Sequence, residues 1–377
     1  MHNWSFYNPT QVEFSPDGLD RIGESVGYQR VGVITTPGFT RRGVVARLKR
    51  ALGDRLATIC DTVQPNPDIN AIDATAELLR PAAPECLIGL GGGSSLDTAK
   101  ALARILTQPE GTTLSGHFRE GLPFEDERAL PVITVPTTAG TGAEVTPFAT
   151  IWDFREQKKH SLAGDDLFPV KAVLDPALTL RLPEPLTISP GLDAISHAFE
   201  SIWNKNASPV SIGLATQSLT ISLKALPELK NNPHLLEARA AMMSASLLAG
   251  IAISQTRTAL AHSVSYPLTL KFGLPHGIAC SFTLPELLRY NAEADDGRLK
   301  RLALCLGHDD TLGLADAVNV LLRSLDVPGF LVAYGLEEEQ ALALTHEMFT
   351  PGRADNNLRP ASVDDVHAIV RDAFQRL

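Results

Sequence analysis

The chain has 377 residues, 44% hydrophobic and 20% charged, with 33 Lys and Arg against 43 Asp and Glu for a formal net charge of -10. That length is too great for one small core and predicts about two domains. The acidic balance and the lack of a Lys/Arg-rich block exclude non-specific nucleic-acid binding, because there is no basic excess to neutralise phosphate.

In chain order, the N-terminus MHNWSFYNPTQVEF has aromatic and polar residues where a signal peptide needs a charged start and an apolar core. No uninterrupted apolar run approaches the roughly 18 residues of a membrane span. The four cysteines, Cys60, Cys86, Cys280 and Cys305, are scattered with no C-x-x-C pair, which predicts a reducing compartment. A cytoplasmic protein without a membrane partner is expected.

Short β-branched runs then alternate with amphipathic stretches: RVGVITT before FTRRGVVARLKRAL, CLIGLGGG before SSLDTAKALARIL, and PVITVPTT further on. This alternation predicts a mostly parallel sheet covered on both faces, a Rossmann-like α/β domain. After DPALTLRLPEP the texture changes to successive helical patterns, and the cluster Pro183, Pro185 and Pro190 marks a boundary. The expected organisation is an α/β domain over residues 1–184 and an all-helical domain over residues 185–377.

CLIGLGGGSSLD reads as a buried strand, three glycines and a helix opening with Ser94 and Ser95. Glycine lets a backbone approach a ligand closely, and a helix N-terminus attracts phosphate, so the segment is a candidate pyrophosphate cradle. It is not the G-x-G-x-x-G fingerprint, and a plain tight turn fits the pattern equally. The Gly/Thr-rich loop after PVITV offers the hydroxyls of Thr137, Thr138 and Thr141, either as a second wall over a dinucleotide or as a capped loop.

Asp193 and His197 lie four apart in the helical stretch GLDAISHAFESIW, so both heads project from one face about 6 Å apart along the axis. His262 opens LAHSVSYPLTLKFGLPHG, which ends at His276 after a Pro/Gly-containing turn. One carboxylate and three imidazoles suit Fe(II) or Zn(II) better than Mg or Ca. Taken alone, D-x-x-x-H arises by chance, and a histidine is commonly a hydrogen-bonded core residue; the four become a site only if the fold joins the two segments.

Together, GGGSSLD, PTTAGTGAEVT, GLDAISHAFES and HSVSYPLTLKFGLPHG, in that order and spacing, resemble the iron-containing (group III) alcohol dehydrogenase family nearly end to end. The resemblance implies the architecture shared with dehydroquinate synthase, with a dinucleotide-binding domain, a helical domain and a cleft for nicotinamide and metal. It places Asp193, His197, His262 and His276 at the four metal-ligand positions. It sets Gly92, Gly93, Ser94 and Asp97 on one side of the cofactor and Thr137, Thr138 and Thr141 opposite, with Asn66, Lys159 and Leu182 at further cofactor-lining positions. A homodimer is implied, formed through the N-terminal strand.

Two departures from the family pattern stand out. Tyr266 occupies a position where many members carry a proton-relay histidine, so it either donates a proton or only shapes the pocket. Thr36 stands where NAD-preferring members often place an aspartate; Arg41 and Arg42 nearby either accommodate a 2′-phosphate or are simply solvated, so the expected cofactor is NADH or NADPH.

The implied reaction is reversible hydride transfer between nicotinamide and a carbonyl carbon assisted by the metal. Arg257, before His262, and Lys271, between His262 and His276, are candidate cations for an anionic substrate tail, with structural ion pairs as the alternative. WSFYNPTQVEF and TRTALAHSVSYPLTLKFGLPHGIAC are similar to the phosphonate-metabolism branch of the family, whose members resemble phosphonoacetaldehyde reductases. A lyase or cyclase like dehydroquinate synthase and a maleylacetate reductase-like enzyme are the alternatives on the same scaffold.

Overall fold

A computed structural model describes residues 3–377. Among the described residues eight strands form: β1 (Gln11–Phe14), β2 (Val31–Ile34), β3 (Leu56–Cys60), β4 (Cys86–Gly91), β5 (Val132–Pro136), β6 (Phe148–Asp153), β7 (Lys158–Ala163) and β8 (Lys171–Leu174). Six of them make one sheet in the order β1-β8-β5-β4-β2-β3, and every pairing in it is parallel. β4 is buried along its whole length, as a strand covered on both faces must be. β6 and β7 form a separate antiparallel hairpin that the sequence patterns did not predict.

The sheet is flanked in sequence by α1 (Gly18–Ser25), α2 (Pro37–Arg41), α3 (Val44–Leu52), α4 (Ile69–Leu79), α5 (Gly93–Ile105) and α6 (Leu114–Glu120). The single amphipathic stretch expected over FTRRGVVARLKRAL is two helices, because Gly43 adopts the left-handed conformation at φ 76° and ends the first. From Glu184 onward the chain is helical: α7 (Glu184–Ile202), α8 (Pro209–Asn231), α9 (Leu236–Thr256), α10 (Leu260–Phe272), α11 (His276–Ser281), α12 (Leu284–Ala292), α13 (Arg298–Cys305), α14 (Thr311–Ser324), α15 (Val327–Ala333), α16 (Glu338–Ala343) and α17 (Val363–Arg376). The expected parallel α/β half and helical half are both present.

The chain divides into two compact units. One holds Asn8–Thr138 and Ala143–Thr179; the other holds the N-terminal residues through Tyr7, Ala139–Gly142 and Leu180–Leu377. Pro190, read from sequence as a breaker, lies inside α7. The carbonyl it leaves without an N–H partner belongs to Leu186, in the exposed first turn, where water can satisfy it. Among the described residues α9 is long and apolar enough to cross a membrane, yet it packs against α7 and α8 and 56% of its apolar window is buried.

A buried charge cluster sits in the sheet unit. Lys100 on α5 donates to the carbonyls of Thr146 (2.8 Å) and Phe148 (3.0 Å), and Glu144 lies within its electrostatic reach. Burial pushes the Glu144 carboxyl from 4.5 up to about 7, against its own backbone N–H and Lys100. Because the folded value is the higher one, the stability Glu144 contributes is fully present below pH 4.5 and is lost as pH rises through 7. Thermal unfolding should therefore show a midpoint that falls between pH 5 and pH 8, and Glu144→Gln should flatten that fall; an unchanged slope in the variant would remove Glu144 from the account.

Candidate metal centre and nucleotide cradle

Asp193 and His197 project from the same face of α7, and His197 Nε2 stands 3.7 Å from Asp193 Oδ1. α10 brings His262 to the same carboxylate, with its Nε2 3.3 Å from Asp193 Oδ1. Gly273, at φ 67°, ends α10, and Pro275 precedes α11, which begins at His276. The rings of His197 and His262 stack at 4.6 Å between centroids, and His276 meets His262 edge-on at 5.3 Å. The two segments that the sequence left apart do converge.

The close approach of α11 to α7 depends on Gly277: a Cβ there would run into the Ser189 carbonyl oxygen and lie 3.0 Å from the Asp193 amide nitrogen. No side chain fits between those backbones.

Hydrogen bonds on the far side of two rings orient them. His197 Nδ1 faces the Gly140 carbonyl at 3.3 Å, and His262 Nδ1 faces Glu200 Oε2 at 2.7 Å. A ring that donates from Nδ1 presents a bare Nε2 lone pair, the form a metal ion requires. Glu200 is fully buried and also accepts from the backbone N–H groups of Ala259 and His262. Sequence reading missed it, although it lies seven residues after Asp193 and three after His197 on one helical stripe.

Asp193 Oδ1 and His262 Nε2 are buried without a hydrogen-bond partner. Buried polar atoms are rarely left so, and these two, 3.3 Å apart, suit a missing cation. The electrostatics agree. Burial alone would raise the Asp193 carboxyl, but His197, His262 and His276 hold it well below the carboxylate range. Burial alone would lower His262, but Cys280, Glu200 and Asp193 hold it well above its ordinary value. Burial lowers His197, which favours its neutral ring, and the donor set fits a borderline divalent ion.

Two further side chains border this cluster. Tyr266 stacks on His276 at 6.1 Å and 14° between planes, so it touches the site. Cys280, one helical turn after His276, places Sγ 3.6 Å from His276 Nε2. The candidate substrate cations sit differently. Lys271 lies nine positions after His262 on α10, about 13 Å along the axis, and forms an exposed ion pair with Glu347. Arg257 is the exposed residue after α9, with φ 63°.

In the sheet unit, β4 runs through Gly91, at φ 151°, into the N-terminus of α5 at Gly93. The first N–H groups of a helix have no partner within it, which suits a pyrophosphate. The Asn66 backbone N–H donates to Ser94 Oγ at 3.2 Å, and the Thr137 N–H donates to the Gly91 carbonyl at 2.9 Å. Thr138 lies so close to Gly92 that a Cβ on the glycine would meet its Oγ1 at 3.2 Å. Asn66, Gly92, Gly93, Ser94, Thr137 and Thr138 thus surround one turn. Asp97, further along α5, accepts from the Thr150 N–H at 2.9 Å, and Lys159 lies over the Trp152 ring on the hairpin. Thr141 and Leu182 fall in the helical unit.

Thr36 precedes α2 in extended conformation without a side-chain capping bond, and Arg41 is exposed in the last turn of the helix. Thr40 Oγ1 donates to Asp61 Oδ2 at 2.6 Å, which sets beside α2 a carboxylate that sequence reading had not placed there.

Residues 9–176 match the iron-containing alcohol dehydrogenase family, and residues 187–374 match the Fe-containing alcohol dehydrogenase family, C-terminal. The chain belongs to the iron-containing alcohol dehydrogenase family. It is 33% identical to the phosphonoacetaldehyde reductase of Streptomyces viridochromogenes over 361 residues, 92% of this chain and 89% of that one. It is 30% identical to the NAD-dependent methanol dehydrogenase of Bacillus methanolicus over 384 residues, 98% of this chain and 100% of that one. Among solved structures, the sulfoacetaldehyde reductase of Bifidobacterium kashiwanohense in complex with NAD+ superposes with a TM-score of 0.92 at 31% identity, covering 99% of both chains.

Proposed function

We propose that this protein is a metal-dependent, NAD(P)H-linked alcohol dehydrogenase acting as an aldehyde reductase on a small aldehyde with an anionic tail such as a phosphonate or sulfonate. The observation that carries the metal part is the approach of His197 and His262 to the Asp193 carboxylate, with His276 edge-on to His262 and with Asp193 Oδ1 and His262 Nε2 buried without partners. The anionic tail is supported by the phosphonoacetaldehyde and sulfoacetaldehyde reductases to which the chain is similar.

Asp193, His197, His262 and His276 would hold Fe(II) or Zn(II), and Asn66, Gly92, Gly93, Ser94, Asp97, Thr137, Thr138, Thr141, Lys159 and Leu182 would line the nicotinamide cofactor. When bound, the ion supplies Lewis acidity toward a carbonyl oxygen and the reduced nicotinamide supplies the hydride. Glu200 keeps the His262 proton on Nδ1, and the Gly140 carbonyl does the same for His197, so both Nε2 lone pairs stay available. Tyr266, packed flat on His276, shapes the wall beside the ligands and carries a hydroxyl that can donate a proton. NADH is favoured over NADPH because Asp61 opposes a 2′-phosphate near α2, with Arg41 pulling the other way. A cytoplasmic homodimer with four reduced cysteines is the accompanying expectation.

Anaerobically purified protein should contain iron or zinc and should oxidise NADH faster than NADPH. It should turn over phosphonoacetaldehyde or sulfoacetaldehyde at least about tenfold more efficiently than propanal, as about 1.4 kcal/mol of anion recognition would give. Equal efficiency on all three aldehydes would sink the anionic-tail reading. Absence of net nicotinamide oxidation would favour a lyase or cyclase on this scaffold.

A further inference from the structure

Lys100 is a buried cation with no part in the chemistry described so far. It is 0% exposed, and its three N–H groups go to the Thr146 carbonyl (2.8 Å), the Thr146 hydroxyl (3.3 Å) and the Phe148 carbonyl (3.0 Å). All three acceptors are neutral, and a buried ammonium without a contacting carboxylate is costly to keep. A methionine of similar length would fill the space without that cost. We infer that Lys100 is a positioning residue for the nicotinamide cofactor, whose charge keeps Asp97, a turn earlier on α5, ionised and able to accept hydrogen bonds from the cofactor. This rests on the place proposed above for Asp97 beside the cofactor and adds the residue that sets its charge.

Asp97 and Lys100 are three residues apart on one face of α5, and both reach the same stretch of β6. Asp97 Oδ2 accepts from the Thr150 N–H at 2.9 Å, and Lys100 donates to the Phe148 carbonyl two residues before it. Asp97 is partly exposed, so its carboxylate is open to a ligand, whereas Lys100 is sealed behind it.

Two carboxylates lie in electrostatic reach of Lys100, Asp97 on its own helix and Glu144, and Lys159 of β7 also faces Asp97. Burial pushes Asp97 up to about 6, with Lys100 foremost among the groups that pull it back, and pushes Glu144 up to about 7. At pH 7 Glu144 is therefore about half protonated while Asp97 stays mostly ionised. Lys100, pushed down to about 8 by burial, still holds its proton there. Asp97 is thus the main user of the ammonium charge. Without that charge burial prevails and Asp97 takes up a proton. A protonated carboxyl gives up acceptor capacity that the ribose hydroxyls and carboxamide N–H of a nicotinamide nucleotide call for.

The test is the NADH dissociation constant of the full-length protein at pH 7, read from NADH fluorescence, in a double-mutant cycle. Lys100→Met keeps the length of the side chain and Lys100→Gln keeps a hydrogen-bond donor; both lose the charge. Each should weaken NADH binding about tenfold, the result of Asp97 falling from mostly ionised to about a tenth ionised. In an Asp97→Asn background the same replacements should weaken it less than about twofold, because no carboxylate is left to lose. An equal loss in both backgrounds, or no loss in either, overturns the inference and leaves the cofactor reading standing. Failure of the wild type to bind NADH overturns both. Should neither neutral variant fold, infrared spectra of the wild type and Asp97→Asn at pH 7 decide: a protonated-carboxyl band present in the wild type and lost in Asp97→Asn overturns the inference, and no such band sustains it.

Discussion

His262→Ala should leave the protein folded but unable to keep its metal, and turnover should vanish with the metal. The residue contributes a partnerless Nε2 to the centre and receives two contacts from Glu200, one at its backbone N–H and one at its ring. Loss of an outer partner of a metal-binding histidine costs about 10–100-fold in affinity or activity. Loss of the ligand itself should exceed that, at least roughly 100-fold. Glu200→Gln supplies the graded control, since the ring stays and only its orientation and charge balance suffer. Metal content by elemental analysis and kcat from NADH oxidation should fall in the order wild type, Glu200→Gln, His262→Ala. A His262→Ala protein with full metal and full rate would refute the assignment.

Gly277→Ala is the second large effect. The added methyl meets backbone, the Ser189 carbonyl and the Asp193 amide, and backbone has no rotamer into which to retreat. Overpacking a core costs about 1–3 kcal/mol, which for a unit of this size lowers the unfolding midpoint by on the order of 5 °C. Because α11 carries His276 and α7 carries Asp193 and His197, the same displacement should also weaken metal retention. Differential scanning calorimetry with and without metal checks both. A variant as stable and as metal-loaded as the wild type would show that the two helices can separate freely.

Much of the architecture was legible because its signals are periodic. Strand β4, the glycines and α5 lie where CLIGLGGGSSLDTAKALARIL placed them, since a buried strand and a glycine turn need little context. The Asp193–His197 pair was equally plain, four residues apart on one helix. What the sequence hid were facts of assembly. Cys280 passed as one scattered cysteine, because nothing local says that a new helix starts at His276 and turns it inward. Glu200 shares the Asp193 stripe, yet a buried glutamate earns attention only once its partner His262 is known to face it. Lys271 shows the opposite case: nearness in sequence to two ligands does not fix nearness in space, and the side chain takes the ion pair that was its alternative, with Glu347. The β6–β7 hairpin went unseen because β7, KKHSLA, is mostly charged and polar at its start.

Ala139–Gly142 is a four-residue excursion that groups with the helices, although the chain on either side of it groups with the sheet. Its Gly140 carbonyl faces His197, and a Cβ on Gly142 would strike the backbone of Gly250 in α9. The helical half is therefore not a portable module. A fragment starting at Leu180 would lack both the oxygen that steers one imidazole and the backbone that fills a notch beside α9. Grafting the centre onto another scaffold, or exchanging halves between relatives, must carry those four residues along.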